Sequence, residues 1–236
     1  MEPKRKMKTK IFGHRGYPAK FPENSLAGFK YCMEHGAEGI EFDVHLTKDG
    51  VPVIMHDENI KRTTNGKGLI KDMTLGELDH YHLANGERIP RLADLFKLAE
   101  KENYAGQLNL EMKTNKFDYP GLPEKIFFLM KLFKFNQPII FSSFNLNTLL
   151  HAKEIRPQES YYFLTDKKIK DPVAFTKEHG LKGIHPKRLL DTNVPERIWT
   201  VDSPRRAKKI IEFGAAGFFT NKFEDMMALR KSVANY

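Results

Sequence analysis

The sequence holds a single cysteine, Cys32, so no disulfide can close within the chain, and a small scaffold stapled by several bridges is excluded. No apolar run approaches the roughly 20 residues of a membrane span. The basic start MEPKRKMKTK is not followed by the apolar stretch of a signal peptide. Aromatic residues do not interleave with basic ones as they do in single-strand binders, so the formal charge of +9 does not point to nucleic acid. The first ten residues, with five cations and one acid, supply about four of those charges, and the rest is spread along the chain. The segment GHRGYP does not match the Gly-rich phosphate loop G-x-G-x-x-G, which counts against a doubly wound dinucleotide fold. Together these absences lead to the expectation of a soluble, cytoplasmic protein without a stable membrane anchor and without nucleic acid as a partner.

What is present is a regular alternation. Short apolar runs (KIFGH, EGIEFDVHL, GQLNLEMK, PIIFSSF, SYYFLT, KGIHP, RIWTVD, AGFFTN) alternate with segments of helical period such as Leu26, Phe29, Met33 and Leu92, Leu95, Phe96, Ala99. Strand–helix alternation predicts a parallel sheet with helices outside. Counting VPVIMHD, there are nine strands. If that run folds back as a hairpin on EGIEFDVHL, eight remain, the number a closed (β/α)8 TIM barrel needs, and 236 residues suit one such domain, 1–236. Two stretches break the rhythm. A polar segment at about 57–90 reads as a small insertion after the second strand. The connection near residues 187–197 is too short for a normal barrel helix.

In such a barrel the reactive groups sit at the C-terminal ends of strands. His14-Arg15, Glu41 and Asp43, His56, and Glu111 with Lys113 fall at those ends. Glu41 and Asp43 are two apart, so they share a strand face, as do Glu111 and Lys113. Three carboxylates converging in a closed site repel one another unless a cation relieves them, and oxygen-only ligation favours Mg²⁺ or Ca²⁺. Histidines beside such a metal suit proton transfer. With Arg15 and Lys113 adding positive charge, the set fits an anion whose charge grows in the transition state, as in phosphoryl transfer. A two-residue Asp49-Gly50 loop pairs Asp43 with His56, and a four-residue loop, Thr47 to Gly50, pairs Glu41 with His56; a three-residue loop needs a bulge to keep His56 on the carboxylate face.

The motifs GHRGYPAKFPENSLAGF, GIEFDVHLTKDGVPVIMHD, RTTNGKG, IPRLADLF, LNLEMK, SSF and WTVD, in this order, resemble the glycerophosphodiester phosphodiesterase family of the bacterial cytoplasmic type, over about Lys10 to Leu229. The resemblance implies metal-dependent hydrolysis of a small-molecule glycerophosphodiester to glycerol 3-phosphate and an alcohol. It implies His14 and His56 as the acid–base pair, Glu41, Asp43 and Glu111 as ligands of Mg²⁺ or Ca²⁺, Arg15 and Lys113 as phosphate contacts, and Phe144 and Trp199 as the aromatic wall on the glycerol side. The expected route runs through a cyclic phosphate, with either histidine acting first. Action on lysophospholipids and a non-catalytic binding role on the same barrel are the alternatives. The last strand ends in TNKF where the family often has Thr-Asp-x-Pro, a departure expected to leave the catalytic set untouched. His185 is expected as a structural or rim histidine, His45 as solvent-facing, Asp57 as a loop-fixing residue and Cys32 as a packed thiol.

Overall fold

A computed structural model describes residues 8–135 and 137–234; the basic stretch before residue 8 lies outside the described residues. The strands are β1 (Lys10–His14), β2 (Gly39–Leu46), β3 (Pro52–Ile54), β4 (Gln107–Met112), β5 (Ile139–Ser143), β6 (Ser160–Thr165), β7 (Gly183–Pro186), β8 (Arg197–Ile198) and β9 (Gly217–Thr220). The helices are α1 (Leu26–Glu34), α2 (Leu75–Leu78), α3 (Leu92–Lys101), α4 (Leu122–Leu132), α5 (Leu146–Ile155), α6 (Pro172–His179), α7 (Pro204–Phe213) and α8 (Phe223–Ala234). Eight strands pair in parallel in the order β7-β6-β5-β4-β2-β1-β9-β8, and a parallel bridge between Ile184 and Glu196 brings the two ends of that order together. The result is the nearly closed (β/α)8 barrel expected from the alternation.

All eight residues of β2 are buried, as a strand covered on both faces requires. The outward-facing residues join the helices in one large core that includes Ile40, Phe42, Leu95, Phe127 and Cys32. Burial pushes the Cys32 thiol up to about 12, so it is an inert packed group. Phe12, Ile140, Tyr162 and Phe219 form a separate cluster that fills the barrel below the site. Gly39 stands opposite Phe12 in the ladder, and a Cβ there would lie 2.2 Å from the Phe12 ring, so the plug needs glycine at that position.

Between β3 and α3 the chain builds two single-turn 3-10 helices and α2 around a second small core of Val53, Met55, Ile60, Ile70, Leu78, Leu83 and Ile89. The β7–β8 connection carries no helix. The Glu196 carboxylate organises it instead, accepting hydrogen bonds from the backbone of Leu190 (2.8 Å) and Thr192 (3.0 Å) and from the Thr192 hydroxyl (2.7 Å). Ser203 stands at the cap position of α7, but its side chain makes no capping bond, unlike Ser25 at α1, whose hydroxyl accepts from Gly28 N at 3.1 Å.

The β2–β3 hairpin takes neither the two-residue nor the four-residue loop. Val44 pairs with Ile54, His45 with Val53 and Leu46 with Pro52, and Thr47 N donates to Val51 O at 3.0 Å. The loop is therefore the three-residue one, with Gly50 at φ 75° absorbing the left-handed bulge position. Continued, this register would set His56 opposite Phe42, on the wrong face. The strand avoids that by ending at Ile54, and the chain bends at His56.

Candidate active site

A cavity of about 140 Å³ opens at the C-terminal ends of the strands. His14, Arg15, Glu41, His56 and Glu111 line one side of it, and Phe144, Leu164, His185, Trp199 and Phe219 the other. Of the residues singled out from the sequence, Asp43 and Lys113 do not line it; they lie just behind, 1% and 5% exposed.

Strand register assembles the carboxylates. His14 pairs with Glu41 across β1–β2, and Asp43 with Glu111 across β2–β4. One oxygen from each of Glu41, Asp43 and Glu111 lies within 4.8 Å of the others. Burial, then the charges of Asp43 and Glu111, pushes Glu41 well above the usual carboxylate range. Burial also raises Glu111. For Asp43 burial pulls the same way, but Lys113 and Arg15 outweigh it and hold its carboxyl below the usual range. Lys113 Nζ stands 2.9 Å from Glu111 and 3.7 Å from Asp43, and Arg15 Nε 3.5 Å from Asp43. Asp43 Oδ1 is buried without a hydrogen-bond donor. The carboxylates Glu23, Glu41, Asp43, Asp57 and Glu111 outnumber the cations Arg15, Arg62 and Lys113 that pair among them. An orphaned buried oxygen and an excess of converging carboxylates fit a hard divalent cation.

The two histidines face the cavity, each oriented by a partner at Nδ1. Asp202 accepts from the Asn221 side-chain amide at 2.7 Å, which turns the Asn221 carbonyl toward His14 Nδ1, 2.9 Å away. That nitrogen must therefore carry the proton, and Nε2 is bare, 4.0 Å from Glu41. Burial and the Arg15 charge lower His14 to about 4. His56 Nδ1 is 2.6 Å from Asp57, whose carboxylate also accepts from Arg62. Asp57 thus orients a catalytic candidate as well as its loop. The departure TNKF does reach the site, because Asn221 is the partner of His14; the expectation that it would not is corrected.

Further residues emerge that the sequence pattern did not single out for the site. Asn24, at φ 57°, donates to Asp43 Oδ2 at 2.9 Å, and Arg15, at φ 54°, uses its backbone N–H to hold Glu41 at 2.9 Å. Two adjacent left-handed non-glycine residues at one site are a strained pair held by these contacts. Asn24 was legible as a helix-start signal, and only its position over Asp43 makes it part of the site. His45 is fully buried, not solvent-facing: Nε2 donates to the His56 carbonyl at 3.1 Å, so Nδ1 accepts from the Tyr119 hydroxyl at 2.9 Å. Burial lowers it to about 4. Its position follows from the pleat, which places His45 inward with Glu41 and Asp43. His185 is fully buried, not at the rim; its ring stacks on Tyr162 at 4.8 Å inside the barrel and lines the cavity floor. Phe144 and Trp199 meet edge to face at 5.5 Å, and the Trp199 indole donates to the His185 carbonyl at 2.7 Å, fixing the aromatic wall.

Known proteins resemble this chain in sequence and in fold. The sequence model described as "Glycerophosphoryl diester phosphodiesterase family" matches residues 14–225. A glycerophosphodiester phosphodiesterase of Caldanaerobacter subterraneus subsp. tengcongensis is 34% identical over 242 residues, covering 94% of this chain and 98% of that protein. Among solved structures, a glycerophosphodiester phosphodiesterase from Parabacteroides distasonis superposes with a TM-score of 0.84 at 28% identity, covering 97% of this chain and 99% of that one. An Oleispira antarctica phosphodiesterase, solved in complex with the product sn-glycerol-3-phosphate, gives a TM-score of 0.84 at 25% identity, covering 94% of this chain and 96% of that one.

Proposed function

The chain belongs to the glycerophosphoryl diester phosphodiesterase family and is a hydrolase of glycerophosphodiesters; from that premise we propose a mechanism of two-histidine acid–base catalysis releasing glycerol 3-phosphate. The observation that carries this reading is the convergence of two histidines, each oriented through Nδ1, and the buried acidic triad on one cavity. Glu41, Asp43 and Glu111 would hold a hard divalent cation such as Mg²⁺ or Ca²⁺, which would supply Lewis-acid neutralisation of phosphoryl charge. Arg15, on the cavity wall, meets the phosphate directly. Lys113, behind the carboxylates, keeps Asp43 ionised. Phe144 and Trp199 enclose the glycerol carbons.

His14, with Nε2 bare, takes the proton of the glycerol 2-hydroxyl as its oxygen attacks phosphorus. The bond from phosphorus to the alcohol breaks with its electron pair on the departing oxygen, which receives a proton from His56. The Asp57 carboxylate behind His56 compensates the charge of the doubly protonated ring. A water molecule then gives its proton to His56 as its oxygen attacks phosphorus; the bond from phosphorus to the 2-oxygen breaks, and His14 returns its proton to that oxygen. Glycerol 3-phosphate and a free alcohol result.

The test is release of glycerol 3-phosphate from glycerophosphocholine, with lysophosphatidylcholine in parallel. Turnover of the first is expected, with loss in chelator and recovery on adding Mg²⁺ or Ca²⁺. Full activity in chelator would overturn the role given to the triad, and preference for the lysophospholipid would overturn the substrate reading.

A further inference from the structure

The segment RTTNGKG lies in the insertion, away from the barrel strands, yet its first residue reaches two carboxylates that each hold a residue lining the site. Arg62 closes the 3-10 turn Ile60–Arg62, which Ile60 anchors in the insertion's own core. Its guanidinium takes Asp57 side-on, Nε to Oδ2 at 2.5 Å and Nη2 to Oδ1 at 3.1 Å. The same fork takes Glu23, Nη1 to Oε2 at 2.9 Å and Nη2 to Oε1 at 2.6 Å. Asp57 in turn holds His56 at 2.6 Å, and Glu23 holds Arg15 Nη1 at 3.0 Å. One planar fork thus links an unbroken chain Arg15–Glu23–Arg62–Asp57–His56.

Arg62 does not line the cavity, and its side chain is 48% exposed. The four aligned contacts commit its whole fork to two carboxylates that each hold a cavity residue, a geometry suited to orientation. The last ladder bond on the β3 arm runs from Met55 N to Asp43 O at 3.0 Å, and the chain bends at His56, one residue on. We propose that Arg62 is a positioning residue for phosphodiester cleavage: it locks the Asp57 carboxylate against His56 and the Glu23 carboxylate against Arg15, so that the insertion sets the geometry of the acid–base pair's second member. This rests on the roles given above to His56 and Arg15.

The experiment compares Arg62→Met and Arg62→Lys with wild type, and each again in a His56→Ala background, in steady-state turnover of glycerophosphocholine. Arg62→Met should lower kcat roughly 10–100-fold, the range seen for residues that orient an active group through a second one, with a smaller change in KM. Arg62→Lys should recover only part, because an ammonium cannot bridge two carboxylates bidentately. In the His56→Ala background the loss from Arg62→Met should shrink to a few-fold. Wild-type kcat in a folded Arg62→Met protein overturns the proposal. So does an equal fold-loss with and without His56, which would mark a purely structural role. Should Arg62→Met fail to fold, Arg62→Gln replaces it, with the same outcomes. Near-wild-type turnover in His56→Ala alone would sink the acid–base reading. An inactive His56→Ala beside a fully active Arg62→Met would sink only the positioning role.

Discussion

His14 and His56 face one cavity but are held by different regions of the molecule. His14 is the last residue of β1, paired in the ladder with Glu41, and its ring is anchored by Asn221 just past β9. The barrel itself supplies both constraints. His56 lies past the end of β3; the sheet reaches only its carbonyl, through His45 of β2, and its ring is held from outside the parallel sheet by Asp57, itself braced by Arg62 of the insertion. The contrast shows two ways to fix an imidazole. A residue at a strand end inherits its direction from backbone hydrogen bonds and needs only a neutral amide behind it. A residue beyond the ladder needs a charged brace, and the insertion with its own small core exists at the right place to hold one.

The strongest break in the comparison would be unequal need. His14→Ala and His56→Ala are each expected to lower kcat roughly 10²–10⁴-fold while circular dichroism stays that of the wild type. Near-normal turnover in either would remove that histidine from the mechanism. Next comes the barrel-side anchor. Asn221→Leu frees the His14 tautomer and should lower kcat about 10–100-fold with little change in Tm. A loss of Tm equal to that of the control below would show Asn221 to be structural.

That control lies at the far end of the barrel. Glu38 accepts from Ile11 N, Arg230 and Lys8. Burial pushes its carboxyl up, but the hydrogen bonds from Arg230 and Lys8 outweigh it and hold it below the usual range. A carboxylate with a depressed folded value adds stability above its unfolded value and loses that stability as pH falls through the folded one. Glu38→Gln should therefore cost about 1–2 kcal/mol near neutral pH, and the Tm gap to wild type should narrow in acid, with kcat unaffected. A gap independent of pH would remove the charge from this account. The smallest effect is expected at Tyr119→Phe, which deletes the donor to His45 and should cost about 0.5–1.5 kcal/mol of stability with a slight fall in kcat. An unchanged Tm would show that His45 needs no partner at Nδ1.

Much of the site was legible because period and position coincide. Glu41 and Asp43 alternate with the apolar residues of a strand buried on both faces, so they had to point into the barrel. The same alternation placed His45 inward, and setting it near the turn and in solvent gave too little weight to the pleat. The hairpin register was not legible. Loops of two, three and four residues all suit the Thr47–Gly50 stretch, and the choice turned on Gly50 taking a left-handed bulge position. Equally hidden was the partner on the other edge of β3, where Ile54 N bonds to Pro90 O at the far side of the insertion.

The sequence alone determined the barrel, because strand and helix periods are local properties, and it marked the carboxylates and histidines, because polar residues interrupting buried strands are conspicuous against apolar neighbours. The tertiary structure decided how those groups are held. Asn221, Asn24, Glu23 and Arg62 are ordinary polar residues in their own segments. Each becomes part of the site only through a partner in another segment, between 8 and 207 residues away. The longest of them, His14 to Asn221, follows from the pairing of β1 with β9, and the others from loops that meet over the strand ends, which no local pattern records.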